Sequence, residues 1–490
     1  MTDLPYAKFV DRPQRMLIGG AWLPAQHGRT FPVVNPANGE QLAEVPYGGT
    51  VEAHRAVEAA HEAFPTWAEK PAGQRAEFLL RAGDRVLADR EQLARLLTAE
   101  SGKPITEARG EIAYTAGFLQ FAAEECKRIG GRTIPPSLPS RRLLTIQQPI
   151  GVAAAITIWN FPAAAITRPV GPALAAGCTV VVKPDERTPL TAIAVCEALE
   201  EGGKLPPGVL NLVTGDAPAI GQAFLENPSV RKINFTGSTD VGRHIMRHAA
   251  DQVKRLTLEL GGHAPFIVFD DADLEAAVQS AVASKFRNAG QTCVCANRIY
   301  IHERIFEPFA ARFTELARSL TVGDPQNETV KIGPLIDKEG YEKVSHHVED
   351  ARNKGAKVLC GGRLLEGKIF SGGFYFEPTV LTGVTDRMVL MQEETFGPVA
   401  PLASFSEEIE VITAANATPY GLAAYCYTRD VSRVFRMAEQ LQFGVVGIND
   451  PFPGTPQAPF GGWKASGIGK EGGQLGLENF LETKLISWGL

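Results

Sequence analysis

Between residues 151 and 260 the chain alternates short, uniformly apolar runs with helical patterns, and no other feature restricts its fold as strongly. The strand candidates are residues 152–158, 179–182, 209–213, 232–235 and 256–260. The helix candidates between them are 163–175, 190–200, 217–226 and 241–249. A strand without a polar face must be buried on both sides, which a parallel sheet covered by helices provides. The expected class is therefore α/β with a dinucleotide-type sheet, whose ligands bind at the carboxyl ends of the strands. A second alternating block opens at residues 264–269 and runs to about residue 446. With 490 residues, the chain exceeds one hydrophobic core and calls for two or three domains.

Upstream, residues 17–50 hold short extended pieces punctuated by Gly, Pro and Asn-Gly. Helical patterns follow at 51–63, 72–99 and 107–129, with apolar residues at three- and four-residue steps. Residues 130–149 change character. Gly130-Gly131, four prolines and Arg141-Arg142 flank a strand-like 143–147, an excursion from the compact body, and the tail 480–488 again reads as strand. A net charge of −6 without a basic stripe argues against nucleic acid and anionic membrane as partners. The first residues lack the apolar core of a signal peptide, and the longest weakly polar run, 150–158, is too short to span a bilayer. Seven cysteines, an odd number, do not suggest a disulfide framework, so a reducing, cytoplasmic compartment is expected.

The chemistry centres on residues 284–298, SKFRNAGQTCVCANR. An amphipathic helix closes, the chain turns at Asn288-Ala289-Gly290, and Cys293 appears just before a β-type run. A thiol after such a turn is well placed to face a cleft as a nucleophile. Cys126, Cys178, Cys196, Cys360 and Cys426 read instead as small buried apolar side chains. A thiol near pKa 8.5 needs a base or an activating environment at neutral pH. No His lies near it in sequence. His244 and His248 share a helical face without the Glu of a zinc-binding HExxH, and no second ligand pair accompanies Cys293 and Cys295, so no metal site is expected. Glu259, at the end of a strand candidate in LELGG, is the stronger base candidate. Phe235-Thr-Gly-Ser-Thr-Asp-Val-Gly242 follows a strand and opens a helix, as a phosphate-cradling turn does. With Thr239 in place of the middle glycine, it is a weak generic dinucleotide fingerprint.

Taken together, these motifs resemble the aldehyde dehydrogenase superfamily, in particular its succinate-semialdehyde dehydrogenase branch, along nearly the whole chain. The resemblance implies that Cys293 is the nucleophile and that Glu259, 293 − 259 = 34 residues earlier, is the general base. It also implies that Asn160, in ITIWNFP, and the Cys293 N–H are the oxyanion donors. Lys183 and Glu186 match the ribose-binding pair, and Glu394 and Phe396, in EETFGPV, match the residues that hold the nicotinamide ribose and ring. Ile156, Thr157, Trp159, Gly215, Gly221, Thr236, Gly237, Ser238, Gly242 and Leu260 complete the implied cofactor cradle. A carboxylate at Glu186 repels a 2′-phosphate, so NAD is expected over NADP. Arg168 and Arg287 match two arginines that grip a distal substrate carboxylate. Where these relatives carry an anion-binding Ser, this chain has Asp450-Pro-Phe-Pro-Gly-Thr-Pro-Gln457, with Gly454 or Thr455 at the place of the Ser.

The expected reaction is oxidation of a short anionic aldehyde through a Cys thioester, with succinate semialdehyde first. Sulfolactaldehyde and glutarate semialdehyde are the alternatives. A coenzyme A-acylating enzyme is disfavoured by the presence of Glu259, and a non-catalytic binding protein by retention of the whole residue set. For Cys295, packing and a reversible disulfide with Cys293 are both open. The implied organisation is a cofactor domain (1–129 and 149–258, with part of 449–475), a catalytic domain (259–448) and an oligomerisation element (130–148 and 476–490) giving a homodimer or homotetramer.

Overall fold

The computed structural model describes residues 5–490; the first four, part of the stretch read for a leader, lie outside the described residues. Strands Arg255–Glu259, Val230–Thr236, Val152–Ile156, Thr179–Lys183 and Leu210–Leu212 lie side by side in that order and run parallel. Gly467–Ile468 flanks them on one edge, with Met16–Ile18 and Ala21–Leu23 on the other, giving eight strands. The parallel arrangement follows from the lack of a polar face: Val180, Val181, Val182 and Ile233 have no exposed surface. Chain order reverses between Val152–Ile156 and Val230–Thr236, and a crevice forms at the carboxyl ends beside such a reversal. Lys183, Thr236 and Glu259 each end one of these strands, and Asn160 follows the end of another.

The second sheet has seven strands. Its order is Lys357–Cys360, Thr379–Thr382, Val399–Phe405, Ala296–His302, Ala264–Val268, Ala423–Tyr427 and Val445–Ile448, with only the first antiparallel to its neighbour. A third, three-stranded sheet pairs Leu481–Gly489 along the full length of Arg141–Pro149, with Thr133–Ile134 on the far side. Its tail strand leaves Leu485 and Trp488 exposed.

Two helices differ most from the sequence expectation. The helix expected over 72–99 is two, Ala72–Ala88 and Arg90–Ser101, broken at Asp89, whose carboxylate accepts from Arg85 Nε at 2.6 Å and Lys8 Nζ at 3.2 Å. The helix expected over 51–63 runs from Thr50 to Ala68, through Pro65, because buried Trp67 anchors its last turn by donating from its indole to Leu174 O at 3.2 Å. Among the described residues no helix is long and apolar enough to cross a membrane, and no group of three or more His, Cys, Asp or Glu is placed to hold a metal ion.

Candidate active site

Helix Leu274–Phe286, capped by Asp273 accepting from Ala276 N at 3.1 Å, hands the chain to a turn in which Asn288, Ala289 and Gly290 all take positive φ (50°, 55° and 74°). For a residue with a Cβ this conformation costs about 1–2 kcal/mol. Neighbours hold it in place: Glu107 Oε2 accepts from Asn288 N at 2.9 Å, and Gln291 Nε2 donates to Asn288 O at 3.0 Å. The turn delivers Cys293, half-buried, ahead of strand Ala296–His302. A Cβ on Gly262 would fall 2.1 Å from Cys293 O, so the glycine allows the end of the Glu259 strand to lie against the nucleophile. Cys295 is buried and free, its thiol directed at Lys285 O at 3.3 Å.

Burial pushes the Cys293 thiol up to about 12; Arg168 and Arg287 oppose that shift while Glu394 and Glu259 add to it. The thiol therefore faces two cations and two carboxylates at once. Glu259, 3% exposed, is raised well above the usual carboxylate range by burial and by the neighbouring Glu471, with Arg168 and Lys470 acting the other way. Neither of its oxygens has a hydrogen-bond partner among the described residues. A buried carboxyl that is raised in this way and left without a hydrogen-bond partner marks a candidate functional group. Asn160, 2% exposed, donates from Nδ2 to Gln291 O at 3.0 Å, fixing the amide with its second hydrogen unspent on that bond.

The two arginines differ in their surroundings. Arg168, on helix Ala164–Ala176, places Nη2 2.6 Å from Glu471 Oε2 and lies 4.5 Å over the Phe460 ring, while its Nε is buried without a partner. Glu471 Oε1 accepts from Asn234 Nδ2 at 2.6 Å. Arg287 lies over two rings, Phe161 at 5.5 Å and Phe452 at 5.2 Å. Phe452 brings the divergent 450–457 loop to the site. Thr455 is half-buried, and its carbonyl closes a turn by accepting from Ala458 N at 3.2 Å. The place beside it holds a residue the sequence reading missed. A Cβ on Gly454 would sit 3.7 Å from the Tyr114 hydroxyl, and Tyr114 faces Arg168, Arg287 and Cys293. In the sequence Tyr114 is one more large residue on an amphipathic helix, indistinguishable from core.

A cleft of about 570 Å³ opens at the strand ends, lined by Ile156, Thr157, Trp159, Lys183, Glu186, Gly221, Thr236, Gly237 and Ser238. Lys183 Nζ donates to Glu186 Oε1 at 2.7 Å, a cation and a carboxylate suited to the hydroxyls of a ribose. Ser238 caps helix Thr239–Ala249, accepting from Val241 N at 3.4 Å, so the helix N-terminus faces the cleft as a phosphate site. Gly242 and Leu260 lie behind this surface: a Cβ on Gly242 would meet Leu260 Cδ2 at 2.5 Å, so they set the approach of helix to strand. Gly215 is bridged to Gly48, outside the cleft lining. His244 also lines the cleft, as does Arg187, which pairs with Asp185 at 2.9 Å and Asp337 at 3.0 Å. Ser238 also borders a second hollow containing Glu394, Arg243, Lys343 and Tyr420. Burial raises Glu394 to about 7, partly offset by the Gly262 N–H that donates to it at 3.0 Å. Phe396, at φ 56°, sets its ring edge-on to Trp159 at 5.6 Å. An apolar cleft, a ribose-type pair, a capped helix N-terminus and a distal carboxylate fit the parts of a nicotinamide dinucleotide.

The aldehyde dehydrogenase family model matches residues 22–486. The chain is 51% identical over 477 residues to the NADP(+) succinate-semialdehyde dehydrogenase GabD of Escherichia coli K12, covering 97% of this chain and 98% of that one. It is 51% identical over 473 residues to a glutarate-semialdehyde dehydrogenase of Pseudomonas putida (96% and 97% covered) and 51% identical over 476 residues to a 3-sulfolactaldehyde dehydrogenase of Pseudomonas putida (97% of each). The crystal structure of a succinate-semialdehyde dehydrogenase from Burkholderia pseudomallei superposes with a TM-score of 0.96 at 49% identity, covering 100% of both chains. Matched over nearly its whole length in sequence and in fold, the chain belongs to the aldehyde dehydrogenase family.

Proposed function

We propose that this enzyme oxidises a short aldehyde with an anionic tail, succinate semialdehyde first, to the carboxylate through a thioester on Cys293. The observation that carries the reading is the pairing of Cys293 with two arginines, one of which, Arg168, keeps Nε buried and unpartnered. A buried guanidinium N–H without an acceptor favours an anionic guest, with Arg287 as the second cation. Glu259 takes the thiol proton as sulfur adds to the carbonyl carbon, and the Asn160 amide with the Cys293 N–H steadies the oxyanion. When bound, the nicotinamide cofactor supplies the hydride acceptor. After passing the thiol proton to solvent, Glu259 as carboxylate draws a proton from the water that releases the acid, the step that distinguishes this reading from transfer to coenzyme A. Glu186 beside Lys183 favours NAD, although the Escherichia coli relative is named for NADP(+).

A second reading, with glutarate semialdehyde or 3-sulfolactaldehyde as the substrate, is favoured by the 450–457 loop. There Gly454 offers no side-chain donor, the Tyr114 hydroxyl lies near it, and Phe452 lies against Arg287, a donor set that differs from a serine at that place. Two relatives of equal identity carry those names. Steady-state kinetics on succinate semialdehyde, glutarate semialdehyde, 3-sulfolactaldehyde and butanal, each with NAD and NADP, test the proposal. A kcat/KM for butanal equal to that for every anionic aldehyde overturns it, and higher kcat/KM with NADP overturns the NAD preference. The three-stranded sheet, with its exposed apolar edge, suits an oligomerisation element joined to a cofactor domain and a catalytic domain. A reducing cytoplasmic setting suits the seven free thiols.

A further inference from the structure

Asn160 and the turn before Cys293 are hydrogen-bonded to each other, and one short segment, Lys103 to Glu111, holds both. Lys103 Nζ donates to Asn160 O at 2.7 Å and pairs with Glu111; both side chains are 1% exposed. The same ammonium lies 3.8 Å over the ring of Phe161, the residue after Asn160. Glu111 Oε1 accepts from Ala163 N at 3.0 Å and Ala164 N at 3.3 Å, so the backbone is gripped beyond Asn160 as well as at it. One turn earlier on the same helix, Ile105–Cys126, Glu107 accepts from Asn288 N at 2.9 Å, bracing the left-handed turn. Asn288 Nδ2 closes the circuit by donating to Asn160 O at 3.4 Å and Gln291 O at 3.3 Å.

This arrangement is a poor way to gain stability. Buried ion pairs recover little of their desolvation cost, and apolar residues of similar volume do as well or better. Glu107 and Glu111, four apart on one helix face, would repel each other without Lys103 between them. The arrangement does fix the relative position of two loops, and oxyanion donors work only when their geometry is set before the charge develops.

We infer that Lys103, Glu107 and Glu111 are positioning residues that set the oxyanion donors, acting through Asn160 and the Cys293 turn without touching substrate. The inference rests on the proposed role of Asn160. Removing Lys103 lets the Asn160 carbonyl and amide shift together, and the chemical step slows while cofactor binding at the strand ends is untouched.

The test is single-turnover formation of reduced cofactor with saturating succinate semialdehyde in the full-length Lys103→Met, Asn160→Ala and double variants. Cofactor affinity is measured in parallel by fluorescence titration. The expected result for Lys103→Met is a rate constant about 10- to 100-fold lower, with cofactor Kd within twofold of wild type. The double variant should be no more than about threefold slower than Asn160→Ala, because the brace acts through the same amide. A Lys103→Met rate within threefold of wild type beside a slow Asn160→Ala, or effects that multiply in the double variant, overturns the inference. An unimpaired Asn160→Ala instead removes the oxyanion assignment on which the inference depends, and the inference falls with it. If Lys103→Met does not fold, Lys103→Met/Glu111→Gln, which leaves no orphaned charge, is judged by the same criteria. Glu107→Gln, which leaves the buried pair intact, should also slow the single turnover, and a rate within threefold of wild type removes Glu107 from the brace.

Discussion

Arg287→Gln and Arg168→Gln separate two consequences of positive charge beside Cys293. Arg287 lies over Phe161 and Phe452, and no carboxylate among the described residues pairs with it. Its loss removes a partner for the substrate anion and little else. Truncating one partner of a close, desolvated charge pair costs about 2–5 kcal/mol, which corresponds to about 30- to 5,000-fold in kcat/KM. Arg168→Gln should show a loss of the same order and a second effect. Glu471, 3% exposed and 2.6 Å from the guanidinium, is left as a buried charge without its cation, at roughly 3–5 kcal/mol of stability. The assay is kcat/KM for succinate semialdehyde relative to butanal in wild type and both variants, with urea denaturation of each. Arg287→Gln should lower the ratio by well over tenfold with its unfolding midpoint nearly unchanged, whereas Arg168→Gln should lower both. If neither variant changes the ratio by threefold, the anion pocket is wrongly placed. If Arg168→Gln unfolds at the wild-type midpoint, the pairing with Glu471 carries no weight.

Glu259→Gln should slow both the burst of reduced cofactor and thioester hydrolysis, by about 10²–10⁴-fold, because the same carboxylate serves both steps; a burst at the wild-type rate followed by slow turnover would confine Glu259 to hydrolysis. Glu186→Ser should narrow the NAD-over-NADP gap in kcat/KM by at least threefold, and an unchanged ratio would clear Glu186 of a part in discrimination. Glu100, fully buried, accepts from Thr191 N at 2.8 Å and also from Leu190 N, and burial raises it from 4.5 to about 8. For an acid whose pKa is raised on folding, the unfolded chain ionises first. The stability tied to Glu100 is therefore present below pH 4.5 and lost as pH rises through about 8. Glu100→Gln should gain on wild type between pH 5 and pH 8, by up to about 1.4 kcal/mol per unit; a difference in unfolding free energy that does not vary with pH would refute this.

The parallel sheet was legible because its central strands, Val152–Ile156 and Thr179–Lys183, are apolar along almost their whole length, a pattern with few other structural solutions. The positions of Cys293 and Glu259 were legible because a turn and a strand end are local features. Tyr114, Lys103 and Glu111 were not. Their significance lies in contacts with residues 454 and 160–164, and an aromatic or a charge on an amphipathic helix looks the same whether it meets a substrate pocket or solvent. The break at Asp89 escaped notice for a related reason. Hydrophobic periodicity continues across it, and Asp89, at φ −91° and ψ 10°, carries no Gly or Pro signal that would mark the end of a helix.

The strand that ends in Glu259 has a neighbour on its outer side only at residues 467–468, and Arg141–Pro149 finds its long partner only at 481–489. Every strand of the seven-stranded sheet lies between these halves in the chain. Synthesis in order therefore builds the sheet that follows Cys293 while the Glu259 strand is still a bare edge and residues 141–149 lack their main partner. Such edges recruit other chains, and contacts this distant in sequence form slowly. The enzyme is thus most prone to aggregation on the ribosome after residue 450 has emerged, and truncations between 450 and 489 should precipitate even where the nucleophile's turn has already been made.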